Sequence, residues 1–396
     1  MNCPGEIQEK VLGRIIRENE NTLFGREYLF REVASAQDYA RCVPLSTYSD
    51  LNPYIQAMIS GEKKVLVDEP VGAWMRTDGI TGGVKLLPYT AGIAKSFQEA
   101  FLRVFTACAA EGIFPEEGKV MAGLEGLCSD LLGEIPTGCM SSLQFRAMKK
   151  IPVVTDMITP SQDVAGISNA EKRWMEIAAH VSRENVVAAV ADPVLFLAFL
   201  RKMLTEYRRC VQSPREMWPN FSLIISDTDA DPYRKAFNTI LGDVEIREVF
   251  CTDEMVVAVQ MDTEGYVPLY DSYFLEFISL KEWKEMESEG GIYREHEFDS
   301  QTIDTAARGE EYILVLTTPG GLYRYLTGEV VKILDNAHIQ RSGWIDQQKM
   351  GTAQVAEQHM VLLREVARDE LELTMAMENQ VVAIESKTMS HLFGIR

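Results

Sequence analysis

Apolar residues recur at helical spacing at the start of the chain, where Ile7, Val11, Ile15 and Ile16 fall on one face. Tyr39–Tyr54 breaks that rhythm with Pro44 and Pro53 and reads as a connection. Ile93, Phe97, Phe101, Val104 and Cys108 then trace the apolar face of a helix. Glu171–Arg209 is helical again, interrupted at Asp192-Pro193, so the apolar run Val186–Leu200 reads as two buried helix ends meeting at a turn. Beyond it the period shortens. Phe221–Ser226, Ile246–Cys251, Met255–Gln260, Tyr270–Ile278, Tyr312–Thr317 and Val330–Leu334 are short runs of β-branched and aromatic residues between turns, which predicts strands. Helices and strands mixed in this way predict an α/β protein of layered sheets. The composition shifts near Asp335-Asn336, which divides the chain into a large domain, 1–335, and a small one, 336–396. In the small part Val355, Leu362 and Val366 predict one amphipathic helix, Leu371–Met377 a strand, and Val381–Arg396 a last strand or helix.

Composition narrows the classes. With 396 residues and 46% hydrophobic content the chain has material for a sizeable core. The net charge of -20 argues against a nucleic-acid partner, which selects a basic face, and fits a solvated acidic surface. The seven cysteines, at 3, 42, 108, 128, 139, 210 and 251, form no Cys-x-x-Cys pair and are odd in number. That argues against a zinc site or disulfide framework and for a reduced, cytoplasmic setting. His180, His296, His338, His359 and His391 have no metal-ligand spacing. The start, MNCPGEIQEK, lacks the basic and apolar regions of a signal peptide, and no apolar run is long enough to span a bilayer, so no membrane association is expected.

Candidate chemistry gathers in three segments. Met75–Thr90 packs Gly79, Gly82 and Gly83 among Thr77 and Thr81, with Lys85 just beyond. Glycines let a backbone turn tightly and aim its N–H groups at an anion, threonine hydroxyls add donors, and a lysine can reach a phosphate oxygen. Alone, such a stretch reads equally well as a turn between two elements. The other two segments are Phe250-Cys251-Thr252-Asp253-Glu254 and Gly321–Val331, which reads GLYRYLTGEVV. Together they resemble the phosphate loop, the aromatic-x-Ser/Thr-x-Glu segment and the Gly-Leu-Tyr-Arg-Tyr-x-x-Gly-Asp-Val segment of one branch of the adenylate-forming enzymes. That branch is the plant auxin-responsive acyl-acid amido synthetase family with its bacterial relatives. Thr22–Gly25, Pro44–Tyr48, Met217–Asn220 and Gly309–Tyr312 agree with it, so that the likeness runs over residues 10–335.

The resemblance implies the adenylate-forming fold, a large layered domain with a small mobile one. It implies a two-step reaction, in which ATP and a carboxylic acid give an acyl-adenylate with the help of Mg2+, and an amine then displaces AMP. By position it assigns Thr77, Gly79, Thr81, Gly82, Gly83, Phe250, Thr252, Tyr323, Gly328 and Glu329 to the nucleotide. It gives Glu254 the metal, and Glu254 and Arg324 catalytic parts.

Four positions depart from the family pattern. Asp78 replaces a small hydroxyl and sets a carboxylate beside the expected phosphate oxygens. Ile80 replaces a hydroxyl donor, Asp253 a serine or threonine, and Glu329 extends the ribose-binding aspartate by a methylene. Ile224–Pro232, IISDTDADP, stands where relatives place a glycine-rich turn, and reads either as an acidic surface loop or as an altered pocket. The stretch after Lys349 is short and holds a single lysine, Lys387, in unmatched surroundings. Three readings therefore stand side by side. The chain is an acid–amine ligase with drifted motifs; or an ATP-independent cyclase, transferase or hydrolase for an activated acyl group, such as a carrier-protein or CoA thioester, with Asp78 or Asp253 as base; or a non-catalytic scaffold.

Overall fold

Antiparallel strands dominate the first of two compact units, which draws on Met1–Val104, Cys128–Ala147 and Phe250–Thr352. The structure, a computed structural model, describes residues 4–345 except 78–83, 114–116, 128–129, 207–213, 253 and 294–295. Phe274–Ser279, Glu311–Thr317, Tyr325–Ile333 and Ile339–Trp344 lie side by side in that order, each antiparallel to the next. Their registers pair Phe274 with Thr317, Tyr312 with Val331 and Glu329 with Trp344. Irregularities at Ile313/Val315 and Val330/Val331 shift the ladder, a device that re-aims side chains at the end of a sheet. Ile278, Trp283, Phe298, Ile313, Val315, Leu326 and Val330 form a buried cluster on this sheet.

The glycine-rich segment joins the strands of a second sheet in the same unit. Ala73–Arg76 pairs antiparallel with Leu86–Tyr89, Arg76 opposite Leu86, and parallel with Ile135–Gly138. The two strands on either side of residues 78–83 are thus laddered from Ala73 opposite Tyr89 to Arg76 opposite Leu86. Two helices stand where Tyr39–Tyr54 predicts a connection: Ala36–Cys42, and Tyr48–Ile59 with Pro53 inside it. Pro44 falls between them, and the second starts at Thr47, whose N–H donates to Asp50 Oδ2 at 2.8 Å. Burial of Leu51, Ile55 and Met58 on one face outweighs the bond that Pro53 cannot make.

The second unit, drawing on Phe105–Leu127 and Met148–Val249, holds a parallel sheet. Five strands of a seven-stranded sheet, Glu245–Cys251, Leu223–Ser226, Val186–Val190, Lys119–Met121 and Ile158–Thr159, run parallel in that spatial order. Here the reading of Val186–Leu200 as two helix ends is corrected. Val186–Val190 is a strand, and Asp192 caps the helix Pro193–Thr205 by accepting from Leu195 N at 2.8 Å. A strand buried on both faces loses its alternation, so VVAAV matches a buried helix as well as a strand by period alone. The helices Ala170–Val181, Pro193–Thr205 and Arg234–Leu241 supply Ile177, Phe196, Leu200 and Phe237 to a core completed by Ile224 and Ile246. The helix and strands expected after Val355 lie outside the described residues. Among the described residues no helix is long and apolar enough to cross a membrane.

Candidate active site

The hairpin that carries the glycine loop is closed by Thr77 and Lys85. Thr77 N donates to Lys85 O at 3.1 Å, and Lys85 N donates to Thr77 Oγ1 at 3.1 Å. The threonine that the sequence assigns to the nucleotide therefore holds the neck of the loop. Asp78, Gly79, Thr81, Gly82 and Gly83 lie outside the described residues, as does Asp253.

After the strand Glu245–Cys251 the chain makes a tight turn organised by Thr252. Its hydroxyl accepts from Glu254 N at 3.1 Å and Met255 N at 3.0 Å, while its own N–H donates to Met255 O at 2.8 Å. This side-chain-to-backbone bonding fixes the direction of Glu254. The carboxylate, on a residue only 1% exposed, receives Lys85 Nζ at 2.6 Å and the hydroxyl of Tyr325 at 2.5 Å, both on Oε1. Lys85 Nζ lies 3.4 Å from that same hydroxyl. One residue from each of the three segments thus meets in a buried charged node within a single unit.

The third segment is a turn followed by a strand. Gly321 has φ +91°, and a Cβ there would stand 2.9 Å from Leu66 Cβ, so glycine meets both a torsional and a steric demand. Tyr323 is buried, stacked on Phe24 with ring centroids 4.6 Å apart, and donates its hydroxyl to Leu66 O at 2.6 Å. Arg324, with φ 43°, faces Glu276 at 3.0 Å and donates to the carbonyls of Ala40 at 2.9 Å and Val43 at 3.0 Å. Both side chains make contacts with the framework, at Leu66, Phe24, Glu276, Ala40 and Val43. Ser46 stitches the segment to Pro44–Tyr48: its N–H donates to Arg324 O at 2.9 Å and its hydroxyl to Tyr323 O at 2.7 Å. Tyr48 continues the seam, accepting from Leu86 N at 3.0 Å.

Glu329 and Phe250 meet around Arg341. Arg341 grips Glu329 with Nε on Oε2 at 2.8 Å and Nη2 on Oε1 at 2.5 Å, a two-pronged pair. Its guanidinium lies 5.2 Å from the centre of the Phe250 ring, which also touches Tyr266 at 5.4 Å. Gly328, at φ +81°, accepts from Ile345 N at 2.7 Å. Sequence reasoning missed Arg341 and gave no role to Tyr325. The signal for Tyr325 was its place inside the most specific motif.

The acidic stretch Asp227–Asp231 sits in the other unit. Asp231 pairs with Arg234 at 3.0 Å and Asp229 accepts from Asp231 N at 3.1 Å, so two of its three aspartates are engaged in local contacts. Elsewhere Glu264, Asp335 and His338 bring potential metal ligands together at the edge of the first unit.

The donor set tests the implied magnesium. A Mg2+ ligand needs an accessible carboxylate oxygen at about 2.0–2.1 Å from the ion. Oε1 of Glu254 carries an ammonium and a phenol, so a metal held by this residue would take its other oxygen, Oε2.

A sequence profile for the GH3 family N-terminal domain matches residues 1–191, and one for the GH3 family central domain matches residues 266–339. The chain belongs to the GH3 family. The jasmonoyl-L-amino acid synthetase JAR4 of Nicotiana attenuata is 23% identical to this GH3 chain, over 83% of the chain and 66% of that enzyme. The indole-3-acetic acid-amido synthetase GH3.2 of Arabidopsis thaliana is 21% identical, over 83% and 71%. The GH3 chain thus spans about two thirds of the length of the curated relatives it matches. Among solved structures, the AtGH3.15 acyl acid amido synthetase in complex with 2,4-DB superposes with a TM-score of 0.64 at 17% identity, covering 85% of this chain and 68% of that one. A 2-hydroxyisobutyryl-CoA ligase in complex with 2-HIB-AMP and CoA gives 0.56 at 14% identity, over 86% and 68%. The fold is that of the adenylate-forming enzymes, as the three segments imply.

Proposed function

We propose that this GH3 chain is an acid–amine ligase: it joins a carboxylic acid to an amine or amino acid through an acyl-adenylate made from ATP. The observation that carries the reading is the node of Lys85, Glu254 and Tyr325, which draws the three family segments together in one unit. In the first step a carboxylate oxygen bonds to the α-phosphorus of ATP and pyrophosphate leaves. In the second the amine nitrogen bonds to the acyl carbon, AMP leaves, and the amine gives up a proton. In this reading the segment closed by Thr77 and Lys85 holds the phosphates, and Glu329, gripped by Arg341, takes the ribose in the place of the family's aspartate. Preoriented charge of this kind is the usual source of catalysis in phosphate chemistry. We place the small domain at 336–396, and the protein in the cytoplasm, a setting suited to reduced cysteines such as Cys42 and Cys108.

One observation favours a second reading. With Glu254 paired to Lys85, the site holds a charge-balanced polar cluster of the kind an enzyme acting on an acyl thioester, carried by CoA or a carrier protein, would use. Calorimetric titration with ATP, with AMP as control, separates the two. Saturable ATP binding is the result expected of the ligase. No heat with either nucleotide, together with turnover of acyl thioesters in the absence of ATP, moves the assignment to the second reading.

A further inference from the structure

We infer that Arg341 is the positioning residue of the ribose site, delivered to Glu329 by a bulge at Ser342 and setting the plane of the carboxylate that takes the ribose hydroxyls. The inference rests on the ligase reading, in which Glu329 takes the ribose; the bulge and the grip stand apart from that reading.

Strand pairing decides which face Arg341 takes. Glu329 lies opposite Trp344 and Val330 opposite Gly343, but Val331 lies opposite Arg341, so Ser342 is an extra residue in its strand. Partners in an antiparallel ladder share a face, and faces alternate along each strand. An unbroken ladder from Trp344 would set Arg341 against Lys332, on the face of Val330, which belongs to the buried cluster with Trp283 and Phe298. The bulge moves it by one position, against Val331 and onto the face of Glu329. Ser342 Oγ donates to Val330 O at 3.3 Å and holds the extra residue in place. Arg341 then meets Glu329 with two donors on two oxygens, Nε on Oε2 at 2.8 Å and Nη2 on Oε1 at 2.5 Å. Engaging both oxygens fixes the plane of the carboxylate as well as its place. Glutamate has one rotatable bond more than aspartate, and a planar fork removes that freedom where a lysine would offer only a point charge. The guanidinium is steadied in turn by the Phe250 ring, 5.2 Å from its centre. Glu329 is buried and Arg341 half-exposed, so the cation forms the outer wall of this corner. A ribose presents two neighbouring hydroxyl donors, and a misplacement of about 1 Å at such a site costs about 100-fold. Selectivity for ribose over deoxyribose therefore depends on Arg341, acting through Glu329.

Calorimetric titration of the full chain with ATP and with 2′-deoxy-ATP, in MgCl2 and with a melt of each variant alongside, tests this. Wild type is expected to prefer ATP by about tenfold or more, the worth of one hydrogen bond to a charged acceptor. Arg341→Met is expected to cut that preference to about threefold or less, and Arg341→Lys to leave it between the two. Glu329→Gln removes the same preference, and adding Arg341→Met to it removes nothing more, because the arginine acts through the carboxylate. A purely structural role for Arg341 predicts a lower melting temperature and weaker binding of both nucleotides with the preference intact, and that result overturns the inference. So does a wild-type chain that binds both nucleotides equally. Where Arg341→Met does not melt cooperatively, Arg341→Lys decides: a preference equal to wild type overturns the inference, and a reduced one upholds it. If wild type binds neither nucleotide, the ligase reading falls and the ribose role of Arg341 with it, whereas ATP binding without a preference for ribose removes the inference alone.

Discussion

Glu254 shows how a residue can be identified from sequence while its partner is not. The segment pattern picks out Glu254, Thr252 and Thr77 by position, and Lys85 stands out as the cation after the glycines. The side chains that meet, however, are 169 positions apart, and the register of two sheets and a turn sets that distance to 2.6 Å. The hydroxyls of Thr77 and Thr252 are likewise spent on backbone N–H groups, a local bond that a ligand-binding role and a turn-forming role would both select. Removing one half of a buried ion pair leaves a desolvated charge, so Glu254→Gln is expected to cost about 3–5 kcal/mol of stability. Tyr325→Phe removes the hydroxyl that donates to the charged Glu254 and is expected to cost about 1.5–3 kcal/mol. Urea unfolding of both variants checks the order; a Glu254→Gln protein as stable as wild type would mean that the pair contributes nothing.

At the scale of elements, the helices and strands with a clear period were legible and the doubly buried or interrupted ones were not. The Ile93–Cys108 face lies in the helix Ala91–Ala110, and Tyr312–Thr317 lies in a strand, because each keeps one regular apolar face. Val186–Val190 failed that test because both its faces are covered, and Tyr48–Ile59 because Pro53 suggests a break that side-chain burial overrides. The turn into Tyr325–Ile333 depends on Gly321 and Arg324. Gly321→Ala combines φ +91° with a 2.9 Å approach to Leu66 Cβ, and is expected to cost more than the about 1 kcal/mol of an ordinary glycine replacement. The turn between Tyr325–Ile333 and Ile339–Trp344 carries a pH dependence. Burial works against charge on His338, yet Asp335 at 3.0 Å and Asp262 at 3.3 Å, one at each ring nitrogen, raise its pKa above the ordinary 6.5. A raised folded-state pKa gives stability that is fully present below the unfolded value of about 6.5 and is lost as pH climbs through the folded one. The stability advantage of wild type over His338→Gln should therefore shrink as pH rises above about 6.5, as thermal melts across that window will show. An advantage that grows with pH would contradict the pairing.

For the whole molecule, fold and family were readable because the resemblance rests on three separated segments that agree with one another, and the sheets bring them into one unit. Chemistry is less transferable, since a shared fold hosts different reactions and the site must be argued on its own residues. Here the sequence departs from the family pattern at Asp78, Asp253 and Glu329, one position in each of the three segments. Glu329 answers its extra methylene with a two-pronged grip from Arg341. Glu254 is paired with Lys85 at 2.6 Å. The claim on which the account stands is that this site activates a carboxylate with ATP, and pyrophosphate release measures that most directly. Purified protein, ATP and a panel of carboxylic acids should give acid-dependent pyrophosphate release, reduced at least tenfold by Glu254→Gln. No acid-dependent release from the wild-type chain, in magnesium or in EDTA, would contradict it.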